Sequence, residues 1–242
     1  MKKKKLAAIF LALLMLPACG SSGDMKITDQ NGKEIEVSST GNDTYTFKLP
    51  SAQPNTLGWD NPFIDVKEGA WYYDAVRYCH ENGLMNGTTS NTFSPDIPTS
   101  RAMIVSILWR LEGSPATGRN TFTDVPDEQY YADAVAWAAS EDIVSGYSDD
   151  IFAPDEAITR EQLAAILYRY AAYRSWGLSH DATLDSFVDA HIASAYATDA
   201  LSWATDKNVI SGMDDNLLTP KGNASRAQVA SILMRICENI AF

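Results

Sequence analysis

Phe122-Thr123-Asp124-Val125 is the stretch that predicts the fold, because the chain carries two further copies of it. The copies are Phe63-Ile64-Asp65-Val66 and Phe187-Val188-Asp189-Ala190, and the steps between the three are 59 and 65 residues. Self-similarity at such a period is typical of proteins built from one repeated supersecondary unit. Three units of this kind fill the chain from about Phe63 to its end.

Four further landmarks follow each copy in the same order. They are an Asp-Ala-apolar triplet, a glycine, an aromatic residue or leucine two places before a proline, and a Ser/Thr-Arg pair. In chain order these are Asp74, Asp133 and Asp199; Gly87, Gly146 and Gly212; Pro95, Pro154 and Pro220; and Ser100-Arg101, Thr159-Arg160 and Ser225-Arg226. So many ordered matches exclude coincidence.

The spacing of apolar residues predicts two helices in each repeat. The first helix should run from Trp71 or Tyr72 to Asn82, and its equivalents should begin near Tyr130 and Tyr196. Gly83 should end the first of these helices, because glycine tolerates the left-handed conformation found at helix ends. Asp142 and Asn208 stand in its place in the other repeats, where a different shape is expected.

The second helix of each repeat should start at the Ser/Thr. Thr159 with Gln162, and Ser225 with Gln228, form the signature of a capping box, which repeat 1 lacks because it has Met103. The last helix, from Arg226 to about Ile240, carries one apolar stripe. One stripe cannot bury itself, so we predict a mainly α fold in which three helical hairpins share a core in a compact pseudo-threefold bundle. The repeats should span residues 60–113, 120–175 and 185–242.

The N-terminus has the pattern of an export signal. Residues 1–18 combine a basic start with an apolar stretch that is short for a membrane span but suits a signal peptide. Cys19 follows directly, in a context that resembles a bacterial lipobox, although Pro17 fits imperfectly. We expect cleavage before Cys19, lipidation of its side chain, and a tether over residues 19–24; an ordinary secretory signal with an incidental cysteine is the alternative.

Residues 25–57 differ from the repeats. Two stretches, Ile27–Lys33 and Asp43–Pro50, alternate apolar and polar residues around turn residues, which predicts a small β-hairpin that serves as a spacer.

The charge of the chain limits its partners. It carries 19 basic and 31 acidic side chains, a net charge of −12. Loss of the four leader lysines would leave −16. Such a protein is not expected to bind nucleic acid, and any anion that it holds must be held at a few local basic points.

The pattern of Phe-x-Asp, an aromatic pair before a helix, a glycine, Phe-x-Pro and Thr-Arg resembles the S-layer homology family over about three quarters of the chain. The chain departs from it in lacking the final Glu of the family's Thr-Arg-Ala-Glu motif in all three copies, and in having Leu218 for Phe. The resemblance implies a helical module that attaches surface proteins to secondary cell-wall polymers, commonly through pyruvylated sugars. The location that follows is the cell envelope, with the N-terminal lipid in the membrane and the repeats on wall polysaccharide. We expect a monomer that needs no cofactor or metal.

Three arginines are the first candidate binding residues. Arg101, Arg160 and Arg226 each occupy the first turn of a helix, where a positive charge is unfavourable by a few tenths of a kcal/mol, so a repeated arginine there needs a reason. A guanidinium beside free helix N–H groups would bind a carboxylate such as a pyruvate ketal. The neighbouring hydroxyls of Ser100, Thr159 and Ser225 would cap the helix or bind a sugar hydroxyl. Alternatively, the arginines pair with Asp65, Asp124 and Asp189 and only lock the fold; the two roles are compatible.

Aromatic and glycine residues complete the predicted site. The rings that open the first helices could stack on a sugar, although core packing explains at least half of them. They are Trp71, Tyr72, Tyr130, Tyr131 and Tyr196. Gly87, Gly146 and Gly212 should serve turn geometry or allow a ligand close to the backbone. Because the copies are unequal, we expect one or two competent binding sites, with Arg160 the best single candidate.

Two other classes of function compete with polymer binding. An enzyme is disfavoured because His80, His180 and His191 do not recur and show no metal-ligand or nucleophile spacing. A protein-interaction module or a peptidoglycan binder remains the alternative. Cys79 and Cys237 are predicted to be buried thiols, with a disulfide as the alternative.

Overall fold

The computed structural model describes residues 59–239 and, for their backbone, residues 27–28, 34–41 and 44–48. The predicted leader, residues 1–18, and tether, residues 19–24, lie outside the described residues, as does Cys19. The chain divides into two units, one that ends at Asp60 and one that begins at Asn61.

The first unit is a three-stranded antiparallel sheet. Its strands are β1 (Ile27–Thr28), β2 (Glu34–Gly41) and β3 (Thr44–Lys48), in the order β1-β2-β3. β2 is the central strand and pairs with both others. The predicted hairpin omitted it, although Glu34–Val37 alternates polar and apolar residues as a strand should.

The described residues of the second unit form six α-helices, two in each repeat, as predicted. They are α1 (Tyr73–Glu81), α2 (Arg101–Leu111), α3 (Ala132–Ser140), α4 (Arg160–Tyr173), α5 (Thr198–Asp206) and α6 (Arg226–Asn239). Repeat 3 adds short 3-10 turns at Ala190–Ile192, Ala195–Ala197 and Asp214–Asn216. The mainly helical fold is therefore confirmed.

The helices pack between repeats. α2 of repeat 1 packs on α3 of repeat 2, α4 of repeat 2 on α5 of repeat 3, and α6 of repeat 3 on α1 of repeat 1. The expected hairpins within single repeats are thus replaced by pairs that each join two repeats. Because the third pair returns to the first repeat, the three units form a closed ring with pseudo-threefold symmetry.

A cycle of backbone hydrogen bonds marks the centre of this ring. Thr99 N–H donates to the carbonyl of Ala224, Ala224 N–H to that of Ile158, and Ile158 N–H to that of Thr99, each at 2.9 Å. The three residues are buried, and each lies two positions before the first residue of α2, α4 or α6. The second helices therefore start from one shared point.

The first helices all end in the same way. Gly83, Asp142 and Asn208 have φ of 66°, 56° and 54°, so all three are left-handed. Asp and Asn adopt this conformation more readily than other residues with a side chain. The expectation of different ends is therefore wrong.

The second helices have the predicted caps. Thr159 Oγ1 accepts from Gln162 N–H at 3.3 Å, and Gln162 Oε1 accepts from Thr159 N–H at 3.0 Å. Ser225 and Gln228 make the same pair. Ser100 accepts from Met103 N–H alone, because methionine has no oxygen to complete the box.

The repeated aspartate fastens the loop before each second helix. Asp124 accepts from the N–H groups of Phe152 and Ala153 at 2.9 and 2.7 Å, and Ala153 is left-handed with φ of 58°. Asp65 and Asp189 hold the equivalent loops. Each of the three loops contains one fully buried side chain, which is Phe93, Phe152 or Leu218 in repeats 1, 2 and 3.

Candidate functional site

The three predicted arginines are buried at the junctions between repeats, with 4–6% of each residue exposed. Nε of Arg101 donates to the Phe152 carbonyl at 3.0 Å, and Nη2 donates to the Ser145 carbonyl at 3.0 Å. Arg160 and Arg226 make the same pair of bonds to the next repeat. None forms an ion pair with Asp65, Asp124 or Asp189. The arginines do join neighbouring repeats, but through hydrogen bonds to backbone carbonyl groups and not through these aspartates.

One guanidinium nitrogen is not used in this lock. Nη1 of Arg101, Arg160 and Arg226 makes no hydrogen bond within the described part of the chain. Burial lowers the pKa of all three side chains, yet arginine stays charged at neutral pH. Each buried guanidinium thus keeps hydrogen-bond donors for another molecule.

The helix N–H groups, in contrast, are already occupied. Arg101 N–H donates to the Glu156 carbonyl and Ala102 N–H to the Pro154 carbonyl, both at 3.0 Å, while Met103 N–H donates to Ser100 Oγ. α4 and α6 repeat this arrangement. The predicted use of free helix N–H groups for an anion is therefore wrong, because the neighbouring repeat supplies the acceptors. Ser100, Thr159 and Ser225 use their hydroxyls as caps.

A second arginine lies beside each buried one. Arg169 Nη1 donates to Ser145 Oγ at 3.2 Å, and Arg101 donates to the carbonyl of the same serine. Arg235 and Arg160 share Ser211 in the same way, at 3.0 and 2.7 Å. Arg110 lines one cavity with Arg226. The sequence holds this signal, since an arginine recurs nine residues after each predicted one, but its meaning depends on the fold.

These pairs define three grooves, which are named here by their buried arginine. The Arg226 groove is a cavity of about 190 Å³ lined by Gly87, Met103, Arg110 and Tyr130. The Arg101 groove is a cavity of about 310 Å³, and its lining includes Gly146, Tyr147, Gln162, Arg169 and Tyr196. The Arg160 groove contains Arg235 and Ser211. Gln228 contacts Met213 there, as Gln162 contacts Tyr147 in the Arg101 groove.

The grooves are cationic within an acidic protein. In the part of the chain that the structure describes, no carboxylate forms an ion pair with any of the six groove arginines. Arg169 lies close enough to Arg101 to help lower its pKa, and Arg235 acts likewise on Arg160. Burial dominates and lowers the pKa of each buried arginine, while Glu156, Asp189 and Asp65 act in the opposite direction on Arg101, Arg160 and Arg226 without forming ion pairs. Two positive charges that face one cavity without an ion-paired carboxylate favour an anionic ligand.

The predicted aromatic residues divide into exposed and buried positions. Trp71, Tyr130 and Tyr196 are exposed by 67%, 61% and 57%. Tyr131 is buried, and Tyr72 is partly buried with its edge against the Trp71 ring at 5.2 Å. The exposed ring of the pair is therefore present in all three repeats, including repeat 3, where Ala197 replaces only the buried one.

The repeated glycines are required by space. A Cβ atom on Gly146 would lie 2.5 Å from the Ile151 carbonyl oxygen and 2.7 Å from the Phe122 ring. Gly87 and Gly212 face Phe63 and Phe187 at 2.6 and 2.7 Å. None of the three has a positive φ, so the reason for glycine is close packing under the groove.

The remaining candidates carry no visible chemistry. Cys79 and Cys237 are buried free thiols, as predicted. The described residues contain no group of three or more His, Cys, Asp or Glu side chains arranged to hold a metal ion.

A family model described as S-layer homology domain matches the chain three times, at residues 62–102, 121–164 and 186–230. Each segment lies within one of the three repeats and stops within its second helix, and together the segments cover more than half of the sequence.

Similar proteins are much longer than this chain. An endoglucanase of Bacillus sp. (strain KSM-635) is 32% identical over 197 residues, which are 80% of this chain and 21% of that protein. The surface-layer 125 kDa protein of Lysinibacillus sphaericus is 29% identical over 69% of this chain and 14% of its own length. The cellulosome-anchoring protein of Acetivibrio thermocellus is 25% identical over 64% of this chain and 35% of its own length. The chain therefore corresponds to only a part of each.

Proposed function

Because the chain belongs to the S-layer homology domain family, we propose that it is a non-catalytic anchoring module of the bacterial cell envelope. Its grooves bind an anionic secondary cell-wall polymer, with a pyruvate ketal as the recognised group, and the chain acts as a monomer. The names of the surface-layer and cellulosome-anchoring relatives agree with attachment as the shared role. The enzyme-named relative is matched over only a fifth of its length, so its activity is not assigned to this chain.

The observation that carries the proposal is the pair of arginines in each groove. The buried arginine is held rigidly by two carbonyl groups and keeps Nη1 for a ligand. The second arginine is more exposed and approaches from the adjacent helix. A ketal carboxylate has two oxygens, which suits two guanidinium groups that converge from different sides.

The exposed aromatic ring supplies the second half of a glycan site. Tyr130 and Tyr196 line the same cavities as Arg226 and Arg101. An aromatic face packs on the apolar C–H face of a sugar while the ring's edge stays in water. Carboxylate recognition and sugar stacking within one groove therefore favour an acidic polysaccharide over a simple anion.

The N-terminus adds a second attachment. Lipidation of Cys19 would hold the chain in the membrane, since acyl chains add about 0.8 kcal/mol for each buried methylene group. No helix among the described residues is long and apolar enough to cross a membrane. A lipid at one end and wall polymer at the other would link the two layers of the envelope. Mass spectrometry of the membrane-associated protein should find an acylated Cys19 at the mature N-terminus; an unmodified Cys19 would contradict this part.

The main test is sedimentation with purified cell walls. The full chain should sediment with native walls and remain in the supernatant with walls from which acid has removed the secondary polymer. A triple variant, Arg110→Ala, Arg169→Ala and Arg235→Ala, should lose sedimentation with native walls, because these side chains face the grooves without holding the ring together.

The matched control changes the net charge equally. Lys67→Ala, Arg77→Ala and Arg119→Ala also remove three positive charges, but from positions outside the grooves, and should sediment like the wild type. A folded groove variant that still sediments would overturn the proposal. Retention of the wild type on stripped walls would also overturn it and indicate a protein or peptidoglycan partner.

A further inference from the structure

Glu161 is a buried acid that only the second repeat possesses. It is 3% exposed and directly follows Arg160, whereas Ala102 and Ala227 follow the other two buried arginines. Its carboxylate accepts from Ser194 N–H at 2.9 Å, Ser194 Oγ at 3.0 Å and Tyr196 OH at 3.2 Å. It also forms an ion pair with Lys221 at 2.7 Å.

The charge of Lys221 is matched to this acid. Asp96 and Asp155 occupy the position of Lys221 in the other repeats, directly after the loop proline. At the junction of repeats 2 and 3, Glu161 therefore stands where the other repeats have alanine, and its partner Lys221 stands where they have aspartate. The paired change indicates that the contact is specific to this junction and is not part of the general repeat.

The consequence of the contact is a fixed position for Tyr196. The ring is 57% exposed and lines the Arg101 groove, yet its hydroxyl is tied to the buried carboxylate. Tyr130 holds the same place in the Arg226 groove, 61% exposed, and the helix residue that corresponds to Glu161 there is Ala102. A ring that is already ordered loses less conformational entropy when a ligand packs on it.

Other contacts order the same groove. Gln162 donates to the Tyr147 hydroxyl at 2.8 Å, and the Arg101 guanidinium lies 4.8 Å from the centre of the Tyr147 ring. It also lies 4.7 Å from the centre of the Phe152 ring, a contact that Arg226 repeats with Phe93 at 4.5 Å. In the Arg226 groove, Met103 takes the place of Gln162 and Asn86 that of Ser145. The Arg101 groove is also the larger of the two cavities, about 310 against 190 Å³.

We propose that the Arg101 groove is the principal binding groove of this protein, and that Glu161 is a positioning residue that holds Tyr196 against the bound sugar. The proposal rests on the function proposed above, since it names which groove takes the acidic glycan. It differs from the expectation drawn from sequence, in which Arg160 was the best candidate. The Tyr196 hydroxyl donates a hydrogen bond to Glu161, so its oxygen is left to accept a hydrogen bond from a sugar hydroxyl.

The test uses calorimetry on the full chain with a monosaccharide that carries a 4,6-linked pyruvate ketal. The same sugar without the ketal is the ligand control. Arg169→Ala should weaken binding by about tenfold or more, the effect of losing a charge-assisted hydrogen bond, and this loss should exceed that caused by Arg110→Ala or by Arg235→Ala in the other two grooves. Tyr196→Phe and Glu161→Gln should each weaken binding by about three- to fivefold.

Two controls separate positioning from a merely structural role. Tyr173→Phe removes the hydroxyl of an exposed tyrosine that lines neither the Arg226 nor the Arg101 cavity, and should leave affinity unchanged. Glu161→Gln should have no further effect on binding in an Arg169→Ala background, because the groove that it serves is already disabled. An equal loss from Glu161→Gln in both backgrounds would show a general structural effect and overturn the positioning role.

The remaining outcomes distinguish this proposal from the one before it. If Arg110→Ala or Arg235→Ala causes the largest loss, the choice of groove is wrong while polymer binding by the arginines stands. If the triple arginine variant binds the ketal sugar like the wild type, both proposals fail.

Discussion

Arg226 Nε, in the last repeat, donates to the carbonyl oxygen of Phe93, in the first, at 2.8 Å. This bond and that of Nη2 to the Asn86 carbonyl at 2.6 Å close the ring of three repeats. The same guanidinium lines a groove, so one side chain serves both the fold and the candidate site.

Arg226→Ala should destabilise the whole helical unit. The buried Phe93 carbonyl and the partly buried Asn86 carbonyl would lose their donors, and a buried side chain would leave a cavity, which predicts a loss of about 2–4 kcal/mol in the free energy of unfolding. Urea denaturation followed by circular dichroism measures it. Arg119→Ala, at an exposed position in the first linker, is the control and should change stability by less than about 0.5 kcal/mol. Equal stability of the two variants would show that the last junction does not hold the ring.

Gly146→Ala should also lower the free energy of unfolding. The new methyl group would meet the Ile151 carbonyl and the Phe122 ring, neither of which can move without disturbing the core. The expected cost is about 2–4 kcal/mol, as for other strongly overpacked sites. Gly118→Ala is the matched comparison, because its Cβ would have no atom within 4 Å and its φ is not positive. A small effect of both changes would refute the role given to close packing.

The stability contributed by Glu161 should depend on pH. Burial by itself would raise the pKa of this carboxyl, but hydrogen bonds from Lys221 and Ser194 outweigh burial and hold the pKa below its ordinary value of 4.5. A carboxyl whose pKa is lower in the folded state stabilises the fold above the unfolded pKa, and this stabilisation is lost as the pH falls through the folded pKa. The wild type should therefore be more stable than Glu161→Gln by about 1–3 kcal/mol at pH 7, with the difference shrinking below about pH 4.5.

Denaturation at a series of pH values from 7 to 3 tests this dependence. Glu128→Gln, an exposed acid without a hydrogen-bond partner in the described part of the chain, should parallel the wild type throughout. A constant difference between wild type and Glu161→Gln over the whole range would count against the hydrogen-bonded carboxylate.

The two thiols of the helical unit should be unreactive in the native protein. Burial raises the pKa of Cys237 to about 11 and raises that of Cys79 still further, so little thiolate exists at pH 8. In a Cys19→Ser chain, a thiol reagent should label Cys79 and Cys237 only at the rate of unfolding. Rapid labelling of either residue without denaturant would mean that the α1–α6 junction opens readily.

Much of this arrangement could be read from local patterns. The start of α4 and its capping box follow from interactions between residues fewer than ten apart. The repeated order of landmarks is visible directly in the sequence. The left-handed ends at Asp142 and Asn208 are also local, because Asp and Asn adopt this conformation more readily than other residues with a side chain. Cys79 and Cys237 could be assigned to the interior because each stands on an apolar helical face.

The site depended on contacts that no local pattern carries. Arg101, Arg160 and Arg226 could be recognised as unusual, but their carbonyl acceptors lie 44–140 residues away. The second arginine of each groove was visible as a recurring residue without an assigned role. Its meaning appears only when two helices of different repeats are placed side by side.

The amino-acid sequence by itself determined that this protein has three like units, each with two helices and one arginine at a helix start. Their periodicity, caps and glycines are short-range properties. Only the tertiary structure decided that the helices pair between repeats, that the helix N–H groups are already bonded, and that Glu161 holds Tyr196 beside Arg101. The reason is that the apolar stripe of a helix can be buried either by the other helix of its own repeat or by a helix of the neighbouring repeat. Only the packing of all three repeats into a closed ring decides between the two.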